Sequence, residues 1–392
     1  MGLAVRITRA ESLSIMDKIP RINKPLLGCM FLLLFISIAT LYSIGGRPCN
    51  ALIECTFGGW NPYAWQQLLK IGLGLIVFAI AALINIKFVI RSSYIMFTIA
   101  LVMVLMVSLW GHTGMGAARW LDLWLFKVQP SEFIKISMVV CIARYFSWLN
   151  SAEVKDWKQY LIPIILFAAP FVLVLKQPDL GTAISLFLII STMFFMIGAP
   201  RKWFIVIISL VLLSSPVVWK FAMHDYQRDR ILTLIDPAKD PKGKGYQIIQ
   251  SKMTIGSGGF AGKGYLSGAQ AALNFLPEKQ TDFIFAVWGE QFGFLGAIFL
   301  LAIYTIISVL LYRTARSSKN RFGQLLSIGF MVSLFVYYFV NMAMVMGLMP
   351  VVGTPLPLLS FGGSSLISLM LGFGLVQNAH IHKDIQLSGK GN

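Results

Sequence analysis

The sequence predicts an all-α, polytopic integral membrane protein with about ten transmembrane helices and one long outer loop. Three observations predict it. Of 392 residues, 57% are hydrophobic and 12% charged, and the mean hydropathy is +0.75. The apolar residues gather in runs of about 17 to 25, the length a helix needs to cross a ~30 Å hydrocarbon core. Lys and Arg, finally, alternate between rich and poor connections along the chain. Backbone polar groups in lipid must be satisfied within the segment, and the strand alternation of a membrane barrel is missing, so helices are the expected element.

The elements follow in order. The first 25 residues are polar and basic. The run that follows, Leu26 to Tyr42, lacks a small-x-small cleavage site, so a retained first span is expected rather than a removable signal peptide. The ten expected spans are 26–44, 65–86, 93–111, 131–149, 159–176, 180–198, 203–222, 283–311, 323–347 and 364–382. One set of connections carries Arg6, Arg9, Lys18, Arg21 and Lys24; Lys87 and Arg91; Arg144, Lys155 and Lys158; Arg201 and Lys202; Arg313, Arg316, Lys319 and Arg321; and Lys383 and Lys390. The alternate short connections carry Arg47, Arg119 and Lys127. By the positive-inside rule both termini lie in the cytoplasm. The net charge of +17 is thereby explained by sidedness and does not call for a nucleic-acid partner.

The long connection 223–282 faces outward in this topology; long translocated loops escape the charge rule. It contains "GYQIIQSKMTI", whose Ile248, Ile249, Met253 and Ile255 suit the apolar side of a short interfacial helix. Cys29 and Cys141 fall in spans as packing residues. Cys49 and Cys55 share the first outer loop, where an oxidising compartment would permit a small disulfide. No internal repeat or second soluble domain is evident, so residues 1–392 read as one membrane domain.

The polar residues within or beside the spans gather at the outer side: Arg119 and Trp120 in "GAARWLDL", Glu132 and Lys135 in "QPSEFIKI", Gln177 and Asp179 in "QPDLGT", and Asp282 and Glu290 at the head of the eighth span. Ionisable groups in lipid are costly, so a set at one depth points to a shared wet cavity. Plainer roles stand beside that one. Glu132 and Lys135, three residues apart, can neutralise each other; Asp179 and Asp282 can each cap a helix; Trp120 suits an interfacial belt. Between the ninth and tenth spans, Pro355 and Pro357 in "MPVVGTPLPLLSFGGSSL" exclude regular helix, and a re-entrant turn, a cavity wall, or both are expected.

Several sharper motifs fail. "GSGGFAGKG" departs from a phosphate loop at Ser257 and Gly264, the four histidines make no zinc spacing with the cysteines, and no Ser-x-x-Lys of serine acyl transfer occurs.

The stretches "GAARWLDL", "VQPSEFIKI", "QPDLGT", "DYQRDRILTLIDPAKDPKGKGYQIIQSKMTIGSGGFAGKG", "LPEKQTDFIFAVWGEQFG" and "GLMPVVGTPLPLLSFGGSSLI" together resemble the SEDS family (shape, elongation, division and sporulation), and its elongation branch more than its division branch. The resemblance implies a ten-helix protein of the bacterial cytoplasmic membrane that polymerises lipid II into glycan strands on the outer face. It implies as partners a class B penicillin-binding protein, which crosslinks the strands, and other membrane proteins of the elongation machinery. The family's key aspartate falls on Asp282 through "TDFIF" and its important tryptophan on Trp120 through "RWL". On this reading Asp282 is a general base, since a diphosphate leaving group needs no acid. Arg119, Lys135, Arg228, Arg230 and Lys263 are candidate phosphate clamps, while Asp179 or Asp282 could recruit Mg2+ or Mn2+ instead. A lipid II flippase and a non-catalytic scaffold are the alternatives.

Overall fold

Helices occupy all ten expected apolar runs in the computed structural model, which describes residues 14–45, 62–110, 112–114, 117–122, 127–149, 153–177, 179–223, 225–240, 243–268 and 276–385. After a short α1 (Ile15–Lys18) come α2 (Lys24–Ile44), α3 (Pro62–Leu83), α4 (Ile86–Trp110), α5 (Pro130–Ser147), α6 (Leu161–Lys176), α7 (Leu180–Ile197) and α8 (Arg201–Val217). Two loop helices, α9 (Asp225–Ile235) and α10 (Lys244–Ser257), precede α11 (Ile284–Ser317), α12 (Arg321–Val345) and α13 (Ser364–Ile381). Among the described residues six helices are long and apolar enough to cross a membrane by length and composition: α2, α3, α4, the stretch Trp157–Lys176 ending in α6, α11 and α12.

Local chemistry sets the ends. Asn23 caps α2 by accepting the Leu26 N–H at 3.2 Å with Pro25 in the first turn, Asn320 caps α12 through the Gly323 N–H at 2.6 Å, and Gly198 closes α7 in the left-handed region at φ 107°. At the far end of α3, Asn378 of α13 donates to the carbonyls of Ala81, Ala82 and Ile84. Those are the orphan acceptors every helix end leaves.

One small element has no counterpart in the sequence reading: between α4 and α5, β1 (His112–Gly114), β2 (Ala117–Asp122) and β3 (Lys127–Val128) form a small antiparallel sheet in the order β1-β2-β3. These strands are too short for a hydropathy window, and their partners come from backbone pairing, His112 opposite Trp120 and Leu121 opposite Val128. A helix, α10, covers the "GYQIIQSKMTI" stretch. It buries Ile248 and donates the Ser251 hydroxyl to the Val345 carbonyl at 2.9 Å, while Ile249 and Met253 remain exposed.

At the centre, α12 packs against α5, α7, α11 and α13, and α5 is buried along nearly its whole length. By contrast, α8 has no buried residue among those described, and its leucines and isoleucines suit lipid contact.

The stretch 351–363 runs between α12 and α13 without regular secondary structure, yet much of it is buried. Five elements supply its hydrogen bonds. Ser37 of α2 donates to the Leu359 carbonyl at 2.7 Å; Gln67 of α3 donates to the Ser360 carbonyl at 3.2 Å and accepts the Gly362 N–H at 3.4 Å. Tyr304 of α11 donates to the Pro357 carbonyl at 2.6 Å, and Asn341 of α12 to the Thr354 carbonyl at 2.6 Å. The turn before α11 closes the set: Ser360 Oγ donates to the Thr281 carbonyl at 2.6 Å and the Phe361 N–H to the Gln280 carbonyl at 2.9 Å. On the same face of α3 as Gln67, Tyr63 packs edge-on against Phe361, and Lys70 Nζ stands 3.4 Å from the centre of the same ring.

Replacing Gln67 by Leu should strip two partners from this segment and cost roughly 1–3 kcal/mol. Thermal unfolding in detergent should fall by several degrees, whereas Ile205→Ala on the exposed α8 should leave the midpoint unchanged.

Candidate active site

Asp282 lies in the turn Leu276–Phe283 that leads into α11, half-buried. Glu278 bends this turn with φ at 54°, and the N–H groups of Thr281 and Phe283 both return to its carbonyl. The N-cap position of α11 falls on Phe283 with no side-chain capping bond, so Asp282 is not the cap of this helix. Instead its backbone is pinned, with the Asp282 carbonyl accepting from Asn341 Nδ2 at 2.8 Å. Its carboxylate faces the re-entrant segment: a methyl built on Gly353 would stand 3.3 Å from Asp282 Oδ2. Glycine here, at φ 79°, leaves the carboxylate room. Two buried polar atoms beside it, Asn341 Oδ1 and Thr354 Oγ1, have no hydrogen-bond partner among the described residues.

The same segment meets α7 on its other side. Gly181 packs against Val352 and Thr354. This brings the start of α7 against the strand that faces Asp282. Asp179 caps that helix, accepting from the Thr182 N–H at 3.4 Å and the Thr182 hydroxyl at 2.8 Å, and it is buried. A third cluster stands on α5, where Lys135 Nζ donates to Glu132 Oε1 at 2.9 Å with both residues under 5% exposed. Across from them, Tyr337 of α12 donates its hydroxyl to Glu132 Oε2 at 2.6 Å, and its ring lies 4.1 Å from Lys135 Nζ. Tyr337 and Asn341 are one turn apart on one helix, roughly 6 Å along its axis. The Glu132–Lys135 pair and the Asp282 turn are therefore anchored to the same face of α12.

This arrangement on a ten-helix frame can be compared with known proteins. The family model FTSW_RODA_SPOVE, described as "Cell cycle protein", matches residues 25–385. The chain belongs to this family. It is 41% identical over 320 residues to the peptidoglycan glycosyltransferase MrdB of Escherichia coli strain K12, covering 81% of this chain and 85% of that one. The Helicobacter pylori protein of the same name, from strain 26695, is 35% identical over 318 residues, covering 80% and 82%. Among solved structures, a chain described under "Structural coordination of polymerization and crosslinking by a peptidoglycan synthase complex" is 28% identical with a TM-score of 0.77, covering 93% of this chain and 98% of its own. The rod shape determining protein RodA of Thermus thermophilus, 24% identical at TM-score 0.68 with the same coverage, shares the fold.

The remaining candidates of this family member have contacts of their own. Gln177 donates to the Val104 carbonyl and to Ser108, docking the end of α6 on α4. Arg228 donates to the carbonyls of Trp219 and Lys220, closing the π-helical turn that ends α8. Arg230, partly buried, lies half a turn further along α9. Trp120 is 38% exposed on β2, which packs against α5. Arg119 precedes it on that strand; its side chain, like Cys49 and Cys55, lies outside the described residues. Among the described residues no three Asp, Glu, His or Cys side chains converge on a metal position. A divalent cation would have to complete its shell with substrate phosphate and water.

Lys263 and Glu290 find each other: Nζ to Oε1 is 2.8 Å, with the Glu290 carboxylate fully buried and the Lys263 side chain about a third exposed. The pair sits where α11 breaks at Gly293, φ 63° and ψ −156°, a conformation essentially limited to glycine. The glycine-rich loop fills the break. Its Lys263 and Gly264 N–H groups donate to the carbonyls of Glu290 and Gln291, and its Gly259 and Phe260 carbonyls accept from Phe294 and Leu295. A side chain at Gly262 would overlap the Gln291 carbonyl, so the motif that fails as a phosphate loop is a splint for a broken helix.

Sequence reasoning missed Tyr337, Asn341, Gln67 and Lys279. Lys279, buried three residues before Asp282, has its ammonium pushed below the usual lysine range by burial. Its neighbour "TDFIF" was the available signal.

Lys263→Met should cost on the order of 3 kcal/mol, because it takes the ammonium away from a buried carboxylate. Glu290→Gln should cost less, since Lys263 can turn to water, and the double variant should recover most of the loss; thermal unfolding of the four proteins checks the ordering.

Proposed function

We propose that the chain is a peptidoglycan glycosyltransferase that polymerises lipid II during cell elongation, with Asp282 as its general base. The observation that carries the reading is the Asp282 carboxylate, which faces the stapled re-entrant segment, with its backbone held by Asn341 one turn along α12 from the Tyr337 that binds Glu132. The names of its relatives in this family support the same activity.

In the proposed reaction the 4-hydroxyl of an acceptor sugar attacks the anomeric carbon of the lipid-linked donor. Its proton passes to Asp282, a carbon–oxygen bond forms, and the bond to the polyprenyl diphosphate breaks. The diphosphate leaves as an anion, so one carboxylate suffices and the α-linked donor inverts to a β-linked product. Asn341 Oδ1 and Thr354 Oγ1, beside Asp282 and lacking partners among the described residues, are suited to receive water or a sugar hydroxyl. Lys135, whose ammonium meets only Glu132 Oε1 as a hydrogen-bond acceptor among the described residues, is the foremost electrostatic clamp for the departing diphosphate, with Arg119 beside it in the sequence-derived set. Arg228, Arg230 and Lys263 are assigned second rank, since Arg228 and Lys263 already serve backbone carbonyls and Glu290. The isoprenoid tail accounts for a site at the lip of the bilayer: sugar in water, tail in lipid.

The orientation proposed is both termini in the cytoplasm and the site outside, with a class B penicillin-binding protein crosslinking the nascent strands. The test is full-length protein in liposomes with lipid II, with and without that partner and a chelator. Ordered glycan polymer is expected, falling by roughly 10²–10⁴-fold in Asp282→Asn. Unchanged polymerisation in that variant overturns the base assignment, and translocation of lipid II without polymer favours a flippase.

A further inference from the structure

We infer that Tyr337 is a positioning residue for the transfer reaction, holding the Glu132–Lys135 pair in the orientation that presents the ammonium to the substrate; this rests on the function proposed above. The contacts are specific to it. A phenol hydroxyl 2.6 Å from Glu132 Oε2 occupies the carboxylate oxygen that Lys135 does not use. The aromatic face 4.1 Å from Lys135 Nζ supports the ammonium without taking up one of its hydrogen bonds to an oxygen. With one oxygen tied to Tyr337, Glu132 offers Lys135 a single hydrogen bond rather than a bidentate one, and the other ammonium hydrogens stay available for an anion. Were the hydroxyl absent, Glu132 would be free to rotate and draw Lys135 inward. An ammonium satisfied wholly by its own carboxylate is a poor clamp for developing diphosphate charge.

Placement adds to the argument. All three side chains are under 5% exposed, so little water competes for these bonds. Asn341, one turn along α12, holds the Asp282 backbone at 2.8 Å and the Thr354 carbonyl at 2.6 Å. One rigid helix thus carries the contact that orients the clamp and the contact that orients the base, and fixes the spacing between them.

The experiment compares full-length wild type, Tyr337→Phe, Glu132→Gln and the double variant, reconstituted in liposomes with lipid II. Thermal unfolding is recorded on the same preparations. Tyr337→Phe, which keeps the ring, is expected to lower kcat about tenfold while KM for lipid II changes less than twofold. In the Glu132→Gln background the same replacement is expected to change kcat less than threefold, because Tyr337 acts through that carboxylate. A merely structural tyrosine would give equal, multiplying losses in both backgrounds. That result, or wild-type kcat in Tyr337→Phe, overturns the inference. If instead wild type makes no polymer, or Asp282→Asn polymerises normally, it is the functional reading that fails.

Discussion

Non-helical backbone inside a membrane bundle needs hydrogen-bond partners from the protein, since hydrocarbon supplies none. The re-entrant stretch 351–363 borrows partners for the carbonyls of Thr354, Pro357, Leu359 and Ser360 and the N–H groups of Phe361 and Gly362 from α2, α3, α11, α12 and the turn before α11. Each of those bonds ties a different part of the chain to one short segment. Leu358 is held there at φ 61°, and Glu278 across from it at φ 54°, conformations that side-chain-bearing residues adopt only when their surroundings insist. The network that satisfies the segment is therefore also what bends it towards Asp282, and stability and site geometry are two consequences of one constraint.

The same rule governs the second irregular place, the break in α11. Gly293 interrupts the helical ladder within three residues of Glu290, and the freed carbonyls and amides are answered by the loop 258–264. Lys263 completes the join by pairing with the buried Glu290 carboxylate. The extracytoplasmic loop, on the proposed orientation, is thus part of the bundle's hydrogen bonding rather than an appendage. It links the long loop to the same helix that carries Asp282 at its head.

Much of this could be read from the residues. Ten apolar runs became ten helices, and the prolines at 355 and 357 marked the irregular segment, because hydropathy and backbone exclusion are local properties. Asp179 was legible as a helix cap, which it is, and Glu132 with Lys135 as a pair. Asp282 as a cap was a wrong expectation, since the chain turns one residue later than the apolar run suggests. Other features resisted for physical reasons. Tyr337 is a tyrosine within a long apolar helix, and its hydroxyl matters only because α12 faces α5. Asn341 is one amide in a long apolar helix, with partners 13 and 59 residues away. That Lys263 and Glu290, 27 residues apart, are each other's partner follows only once the loop folds onto the helix break.

The central claim is that the staples of the re-entrant segment set the position of Asp282, the proposed base. Ser360 makes the most direct one, accepting from the Leu356 N–H at 2.8 Å and donating to the Thr281 carbonyl, next to Asp282, at 2.6 Å. The decisive measurement is kcat for glycan polymerisation by Ser360→Ala, taken well below its thermal midpoint so that the protein is folded throughout. A fall of about tenfold or more, with lipid II binding retained, is the predicted result. Wild-type kcat in a folded Ser360→Ala protein would contradict the account.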